Sequence, residues 1–348
     1  MGTSLPEAPK EAVKDGLFAL GRYRGVFEKI NFLDARRLWH IEMPRWAKTW
    51  RLKEWRVVSM GGARWSCAAA LYNVKLFSIA YFWAWDRQSG ARWGFLRIVP
   101  GSIVHIGERF GVSHCAYHGR HARLDIDFDL PHEKAAVTVN WKPPKGGDAF
   151  HGEFLLGCSE KTCAPSSTIM PLGRNRAMYS ARALASMEGF FETPQGIQRF
   201  EAGTGLALFD DHKGYFPFRL HYDWAGGLGF DAKGRRIGLS LAANPGKDPL
   251  PFNENSLWIG NRLFPLPQVR ISRAEGYRGD WVIQDTEGLI DLVFTPLSHN
   301  DLSFHVGIFE SDWHGSFGTF KGSVKNGEGE TIDASILNAM GEEKYIRA

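Results

Sequence analysis

The sequence predicts a mainly β protein, an antiparallel barrel or sandwich with few short helices. Three observations carry that expectation. Residues 124–130, Leu-Asp-Ile-Asp-Phe-Asp-Leu, alternate apolar and acidic side chains with a period of two. Gly260-Asn261, Glu287-Gly288 and Asn326-Gly327 each separate apolar runs, as hairpin turns do. Nowhere does a strand pattern alternate with a long helical one, so a nucleotide-binding α/β architecture is not expected.

Taken in order, residues 7–20 read as one short helix. The Arg- and Lys-dense stretch 36–56 reads as solvated strand ends and loops, with Lys53-Glu54-Trp55 at a strand end. That end either makes an ion pair or delivers Lys53 to the lip of a cavity. Residues 67–85 form the most apolar window, but Asn73, Lys75 and Ser78 interrupt it. Two aromatic strands are therefore expected there, and no membrane span. Along 124–130 the three aspartates should face solvent, and residues 136–141 should form a strand stopped by Pro143-Pro144. Residues 174–187 fit either helix or strand. Gly226-Gly227-Leu228-Gly229 reads as a hairpin loop. Trp83-Ala84 recurs as Trp224-Ala225, and each pair precedes a charged, glycine-containing turn. Such echoes suit two similar β-domains, placed at residues 1–160 and 161–348.

The chain has 348 residues, with 13 Trp and 24 Phe, enough for large apolar faces. A net charge of +4 is too mild to point to nucleic acid. The start of the sequence lacks the apolar run of a secretory signal. Cys67, Cys115, Cys158 and Cys163 show no framework spacing. Reduced thiols and a cytoplasmic location are the corresponding expectations. His114, His118 and His121, with Cys115 among them, read as surface histidines, and no metal is expected.

Chemistry concentrates in residues 209–224, F-D-D-H-K-G-Y-F-P-F-R-L-H-Y-D-W. Asp210, Asp211 and His212 would stand at a tight Lys213-Gly214 turn. The strand leaving it would set Phe216, Phe218, Leu220, Tyr222 and Trp224 on one face. Tyr215, Arg219, His221 and Asp223 would occupy the other. A carboxyl beside aromatic surface loses solvation, its pKa rises, and it can hold a proton at neutral pH. Glu254-Asn255 is a second candidate, placed either to hold a substrate hydroxyl or water or to cap its own loop.

These residues carry a family resemblance. Lys53-Glu54-Trp55, residues 211–217, Asp223-Trp224-Ala225, Glu254-Asn255, residues 291–296, residues 315–322 and Gly341-Glu342 stand in an ordered series from about Lys53 onward. The series resembles a widespread family of unknown function related to the tandem-lipocalin proteins. That group includes carotenoid hydratases, AttH-like proteins and certain fungal pericyclases. The resemblance implies two lipocalin-like antiparallel β-barrels packed in tandem, with a hydrophobic pocket near their junction. In the carotenoid hydratases, the aspartate of a D-H-N-x-G turn resembles the acid that protonates an isoprenoid double bond. Asp211-His212 matches its first two residues, but this chain reaches the glycine one residue sooner, which leaves Asp210 as the alternative counterpart.

The functional expectation is a cofactor-free lyase or hydratase acting on a lipophilic, unsaturated or aromatic small molecule. Asp211 would move the proton, His212 and Tyr215 would orient it, and Glu254 and Asn255 would hold a hydroxyl or water. Trp224, Trp83, Lys53 and His221 would bind the substrate body. A non-catalytic carrier of lipophiles and a carbohydrate-active β-protein are the rival expectations.

Overall fold

The computed structural model describes residues 5–244, 246–307 and 309–347, and strands dominate it. Two antiparallel sheets curl into near-barrels that lie in tandem. The first has thirteen strands. Arg92–Pro100, Phe77–Asp86, Trp65–Asn73 and Lys53–Gly61 follow one another as neighbours along it. The next neighbour is Gly196–Gly214, far along the chain, and then Arg176–Thr193 and Phe150–Gly157. The ten-stranded second sheet places Arg219–Phe230 between Arg236–Ala243 and Asn338–Arg347.

This order moves the expected domain division. The long hairpin Arg176–Thr193/Gly196–Gly214 joins the strands on either side of it into the first sheet. The change of sheet therefore falls between Gly214 and Arg219, whereas the expected 160/161 division lies inside the first sheet. Residues 142–149, which contain Pro143-Pro144, connect the neighbouring strands Lys134–Trp141 and Phe150–Gly157.

Several local expectations also change. Residues 7–20 contain a hairpin, Val13–Lys14 against Leu17–Phe18, instead of a helix. Asp15 and Gly16, at φ 54° and 83°, supply the two left-handed residues of its turn. A short helix, Arg45–Arg51, stands in the basic stretch read as loops. Of residues 174–187, Arg174 and Asn175 form a turn and the rest resolve as strand, within Arg176–Thr193. Lys213-Gly214 ends a strand instead of making a tight turn, and Phe216 and Phe218 precede the next strand. Gly226 to Gly229 lie within Arg219–Phe230, where a Cβ on Gly226 would stand 2.6 Å from the Trp224 ring. Cys158 and Cys163 are paired as a disulfide, against the expectation of reduced thiols, while Cys67 and Cys115 are free and buried. Asp125 is buried instead of solvated, 2.6 Å from both His118 and Arg123. The expected two-residue turn at Gly260-Asn261 joins Ser256–Ile259 to Arg262–Pro265. Among the described residues no helix is long and apolar enough to cross a membrane.

The cores follow the strand alternation. Val58, Met60, Phe82, Phe128, Phe154 and Phe209 belong to a cluster that fills the first barrel, so it is packed with side chains. Leu239, Trp281, Phe294 and Phe320 do the same in the second. A third cluster draws Trp55, Tyr72, Tyr81 and Met178 from the first sheet and Leu220 and Trp313 from the second. This aromatic layer packs one sheet face on the other, and the candidate site lies within it.

Candidate active site

Side chains two apart on a strand share a face, and neighbours do not. On Gly196–Gly214, Phe209 and Asp211 enter the first barrel, while Leu208, Asp210 and His212 face the second. The paired strand Lys53–Gly61 obeys the same rule. Asp211 stands opposite Arg56, and His212 opposite Trp55. The two adjacent carboxylates singled out by the sequence are thereby sent to different places. Asp211 lies beside Arg56 inside the first barrel, 3.1 Å from its guanidinium. Asp210 lines a cavity between the barrels.

That cavity offers about 610 Å³ of space outside protein atoms, part of it open to solvent. Its apolar wall includes Trp55, Tyr72, Leu208, Phe216, Leu220 and Trp224. The polar residues converge from both sheets. Arg182 donates from Nε to Asp210 Oδ1 at 3.1 Å and lies 3.3 Å from Glu254 Oε2. His212 Nε2 lies 3.1 Å from Glu254 Oε2 and 3.3 Å from Asp210 Oδ1. Asn244 donates to the other Glu254 oxygen at 3.3 Å. With Nε2 facing two carboxylates, the proton of a neutral ring belongs on that atom and Nδ1 carries the lone pair. Nδ1 is buried and has no hydrogen-bond partner among the described residues. Trp55 meets the His212 ring edge-on at 4.7 Å and fixes its plane.

A second polar group faces the same space. Glu342 Oε1 accepts from Trp313 Nε1 at 2.7 Å and from Tyr222 Oη at 3.1 Å, and Lys344 Nζ is 3.9 Å away. Gly315 permits this arrangement: a Cβ there would sit 2.4 Å from the Trp313 ring, so only glycine lets the indole lie across the strand. Lys344 rests 3.9 Å from the centre of the Tyr72 ring, a cation–π contact.

Burial sets the protonation states. Desolvation raises the Asp210 pKa although Arg182 opposes it. It raises Glu342 against the charge of Lys344. Desolvation, helped by Arg182 and Lys344, lowers His212 to about 3, so the imidazole is neutral at pH 7. Lys344 is lowered to about 8 by the same loss of water. The Asp210 side chain is 18% exposed and that of Glu254 only 5%. Asp210 is the carboxyl of this pair that a bound molecule can reach.

The lowered Lys344 pKa predicts a stability signature. Between about pH 8 and 10.5 the unfolded chain binds the proton that folded Lys344 has released, so stability rises with pH across that window. Lys344→Met should remove that component of the rise, measured by urea unfolding at several pH values. An unchanged slope would show that Lys344 does not titrate there.

Other expected site residues lie elsewhere. Tyr215 is buried toward the first barrel, donates to the Phe32 carbonyl at 3.2 Å and stacks on the Phe32 ring. It does not line the cavity. Lys53 is buried at the start of its strand, also outside the cavity wall, with its pKa lowered to about 8 by desolvation. The ion pair of this strand end is made by Glu54, 2.8 Å from Lys213. His221 is exposed, 3.8 Å from Asp223 and 3.5 Å from Glu343. Arg273 already pairs with both of those carboxylates at 2.8 and 2.9 Å. Trp224 lines the cavity, donating to Ser240 Oγ at 2.9 Å. Trp83 lines an adjoining chamber that shares Val57, Ser59, Trp224 and Glu342 with the first.

Glu254 reaches the cavity, but Asn255 caps its loop. Asn255 Oδ1 accepts from the Ala242 amide at 2.7 Å, and Nδ2 donates to the Pro267 carbonyl at 2.8 Å. Asn255→Ala should therefore lower stability, roughly 1–3 kcal/mol for each buried backbone group left unpaired. Chemical denaturation checks this. An Asn255→Ala protein of native stability would remove the capping role.

Sequence reasoning assigned no role to Arg182, Asn244, Glu342 or Lys344. Only Glu342 had a signal, its place in the Gly341-Glu342 pair of the family resemblance. Arg182 comes from the stretch left open between helix and strand.

Fold and site together define a two-barrel β protein with a buried acid/base cluster at the barrel junction. The chain belongs to the family described as a domain of unknown function, DUF2804, which it matches over residues 17–347. No curated protein matches it. Among solved structures it is similar to kievitone hydratase from Nectria haematococca, at 11% identity and a TM-score of 0.47. That match covers 85% of this chain and 88% of the other. It is similar to CghA bound to Sch210972, at 12% identity and a TM-score of 0.48, over 99% and 98% of the two chains. An AttH-like protein from Nitrosomonas europaea matches at 13% identity and a TM-score of 0.44, over 84% and 92%.

Proposed function

We propose that the chain is a lyase or hydratase that moves protons on a lipophilic, unsaturated or aromatic small molecule held between the two barrels. One observation carries this reading. Asp210, a carboxyl that burial pushes toward its protonated form, borders an apolar cavity within 3.3 Å of a neutral histidine whose other nitrogen is unpartnered.

The arrangement suits a closed proton cycle. Protonated Asp210 gives its proton to a substrate double bond, and positive charge develops on the neighbouring carbon. Water attacks that carbon and gives one proton to His212 Nδ1. As Nδ1 gains a proton, Nε2 returns its own to the Asp210 carboxylate 3.3 Å away. Substrate has then gained the elements of water, Asp210 is protonated again, and His212 is left as its Nδ1–H tautomer, which returns to the Nε2–H form by proton exchange with water once product leaves. Run backwards, the same steps eliminate water. With a hydroxymethyl substrate, base abstraction of the hydroxyl proton and protonation of the departing carbon would release formaldehyde.

Transfer through the ring in one event suits the low His212 pKa, because a free imidazolium is costly there. Glu254, held by Arg182 and Asn244, fixes the ring. The indole and phenol rings of the wall bind the apolar body and exclude water.

The test incubates purified protein with terpenoid, fatty and lignin-derived aromatic compounds and follows bound and transformed species by mass spectrometry. Gain or loss of water, or loss of formaldehyde, is the expected result. Compounds that bind and leave unchanged, with no isomer separable by chromatography, would make the cavity that of a carrier.

A further inference from the structure

The first barrel carries an excursion from residue 36 to residue 51 that takes no part in the cavity. It contains Arg36, Arg37, Arg45, Lys48 and Arg51 against a single acid, Glu42, a net +4. The whole chain has 42 Lys and Arg against 38 Asp and Glu, so the other 37 basic and 37 acidic residues cancel. All the excess positive charge therefore resides in this segment.

The same segment exposes apolar side chains. Trp46 is 75% exposed and Trp50 55%. They stand four apart on the helix Arg45–Arg51 and so share a face. Ile41 is 56% exposed, and Leu17 is 71% exposed on the hairpin tied to this excursion by the Arg36 amide and Gly16 carbonyl.

The surface is held in shape. Lys48 Nζ pins the helix to the carbonyls of Leu33 and Ala35 at 3.1 and 2.6 Å. Arg37, Trp39 and His40 occupy left-handed backbone conformations, φ 50°, 56° and 65°. Such positions are costly for non-glycine residues. The Trp39 amide bonds to the Arg174 carbonyl, and Arg51 and Arg176 flank the Trp39 ring at 5.0 and 5.2 Å.

We propose that this face docks the protein onto an anionic lipid bilayer surface. Exposed indoles prefer the headgroup region of a bilayer, where the ring is sheltered and its N–H stays wet. Basic side chains around them gain from anionic headgroups. Ile41 and Leu17 decide against single-stranded nucleic acid, which would use the indoles for stacking but has no contact for isolated aliphatic side chains. Docking of this kind is peripheral and reversible, since apolar area and charge act together without a span. The inference stands apart from the reading of the cavity.

The test is co-sedimentation of the full chain with two vesicle types, phosphatidylcholine alone and phosphatidylcholine containing about one third phosphatidylglycerol. The expected result is binding to the anionic vesicles at least about tenfold stronger than to the neutral ones, falling as salt is raised. The double variant Trp46→Ala/Trp50→Ala should lose about tenfold, and Arg36→Gln/Arg37→Gln/Arg45→Gln should lose the preference for anionic lipid. All five positions are exposed, so unchanged thermal unfolding serves as the control. Failure to sediment with anionic vesicles would overturn the proposal, as would a double-tryptophan variant that sediments like the parent. Binding to a single-stranded oligonucleotide with the same tryptophan dependence and no vesicle binding would reassign the face to nucleic acid. A dimer lost in that variant, again without vesicle binding, would reassign it to a second copy of the chain.

Discussion

Asp210→Asn should reduce kcat/KM by about 10²–10⁴, the range a positioned general acid contributes, while the variant still binds the substrate. Asparagine keeps the shape and the contact with Arg182 but has no proton of suitable acidity. Asp211→Asn is the matched control: the adjacent residue lies inside the first barrel, so its loss should lower stability and leave turnover per folded molecule within a fewfold. The two variants compare the same chemical change one residue apart, on opposite faces of a strand. The wild-type pH profile supplies a second check. Asp210 must be protonated to act, and its pKa is raised, so activity should fall as pH rises through that shifted value. His212 remains neutral down to about pH 3 and should give no acid limb near 6.5. Steady-state kinetics from pH 4 to 9 would show both features. Full activity in Asp210→Asn, or an activity lost only in Asp211→Asn, would remove Asp210 from the mechanism.

The choice between these two aspartates was the point the sequence left open, and the physical reason is specific. Alternation says that they face opposite ways, but not which way is which. That parity is fixed by pairing: Asp210 meets Arg182 on one neighbouring strand, and Asp211 meets Arg56 on the other. Both partners are distant in the chain, as are Glu254 and Glu342. The β class was legible because residues 124–130 and the Gly260-Asn261 turn carry local signals. The hairpin at Asp15-Gly16 had such a signal too, a two-residue Asp-Gly turn inside the stretch 7–20 that read as helix. Charge gave no warning that Asp125, Arg56 or Arg182 would be buried, because burial of a charged group depends on a partner brought by tertiary structure.

Arg56 is the residue whose loss should cost most in stability. It is fully buried, and Asp211 beside it is 5% exposed. Its guanidinium also reaches Ser113 Oγ and the Arg109 carbonyl, and lies 4.8 Å from the Phe128 ring centre. Arg56→Met keeps apolar volume but leaves the buried Asp211 carboxylate without its partner. Removing one member of such a pair costs about 3–5 kcal/mol. The pH dependence gives the cause. Burial already raises the Asp211 pKa, and Arg56 is the largest force holding it down. In the variant, folding will favour the protonated acid further, so the deficit should be greatest at neutral pH. It should shrink as pH falls toward 3.8, where the unfolded carboxyl also takes up its proton. Arg56→Met/Asp211→Leu removes both charges and should recover most of the loss, because well-packed apolar groups replace a buried pair without desolvating an ion. Urea unfolding of the parent, the single and the double variant at pH 7 and pH 5 separates these contributions. A single variant within about 1 kcal/mol of the parent at pH 7 would mean that water or Lys213 already compensates Asp211. A double variant no better than the single would mean that the guanidinium matters through its contacts with Ser113, Arg109 and Phe128, not through its charge.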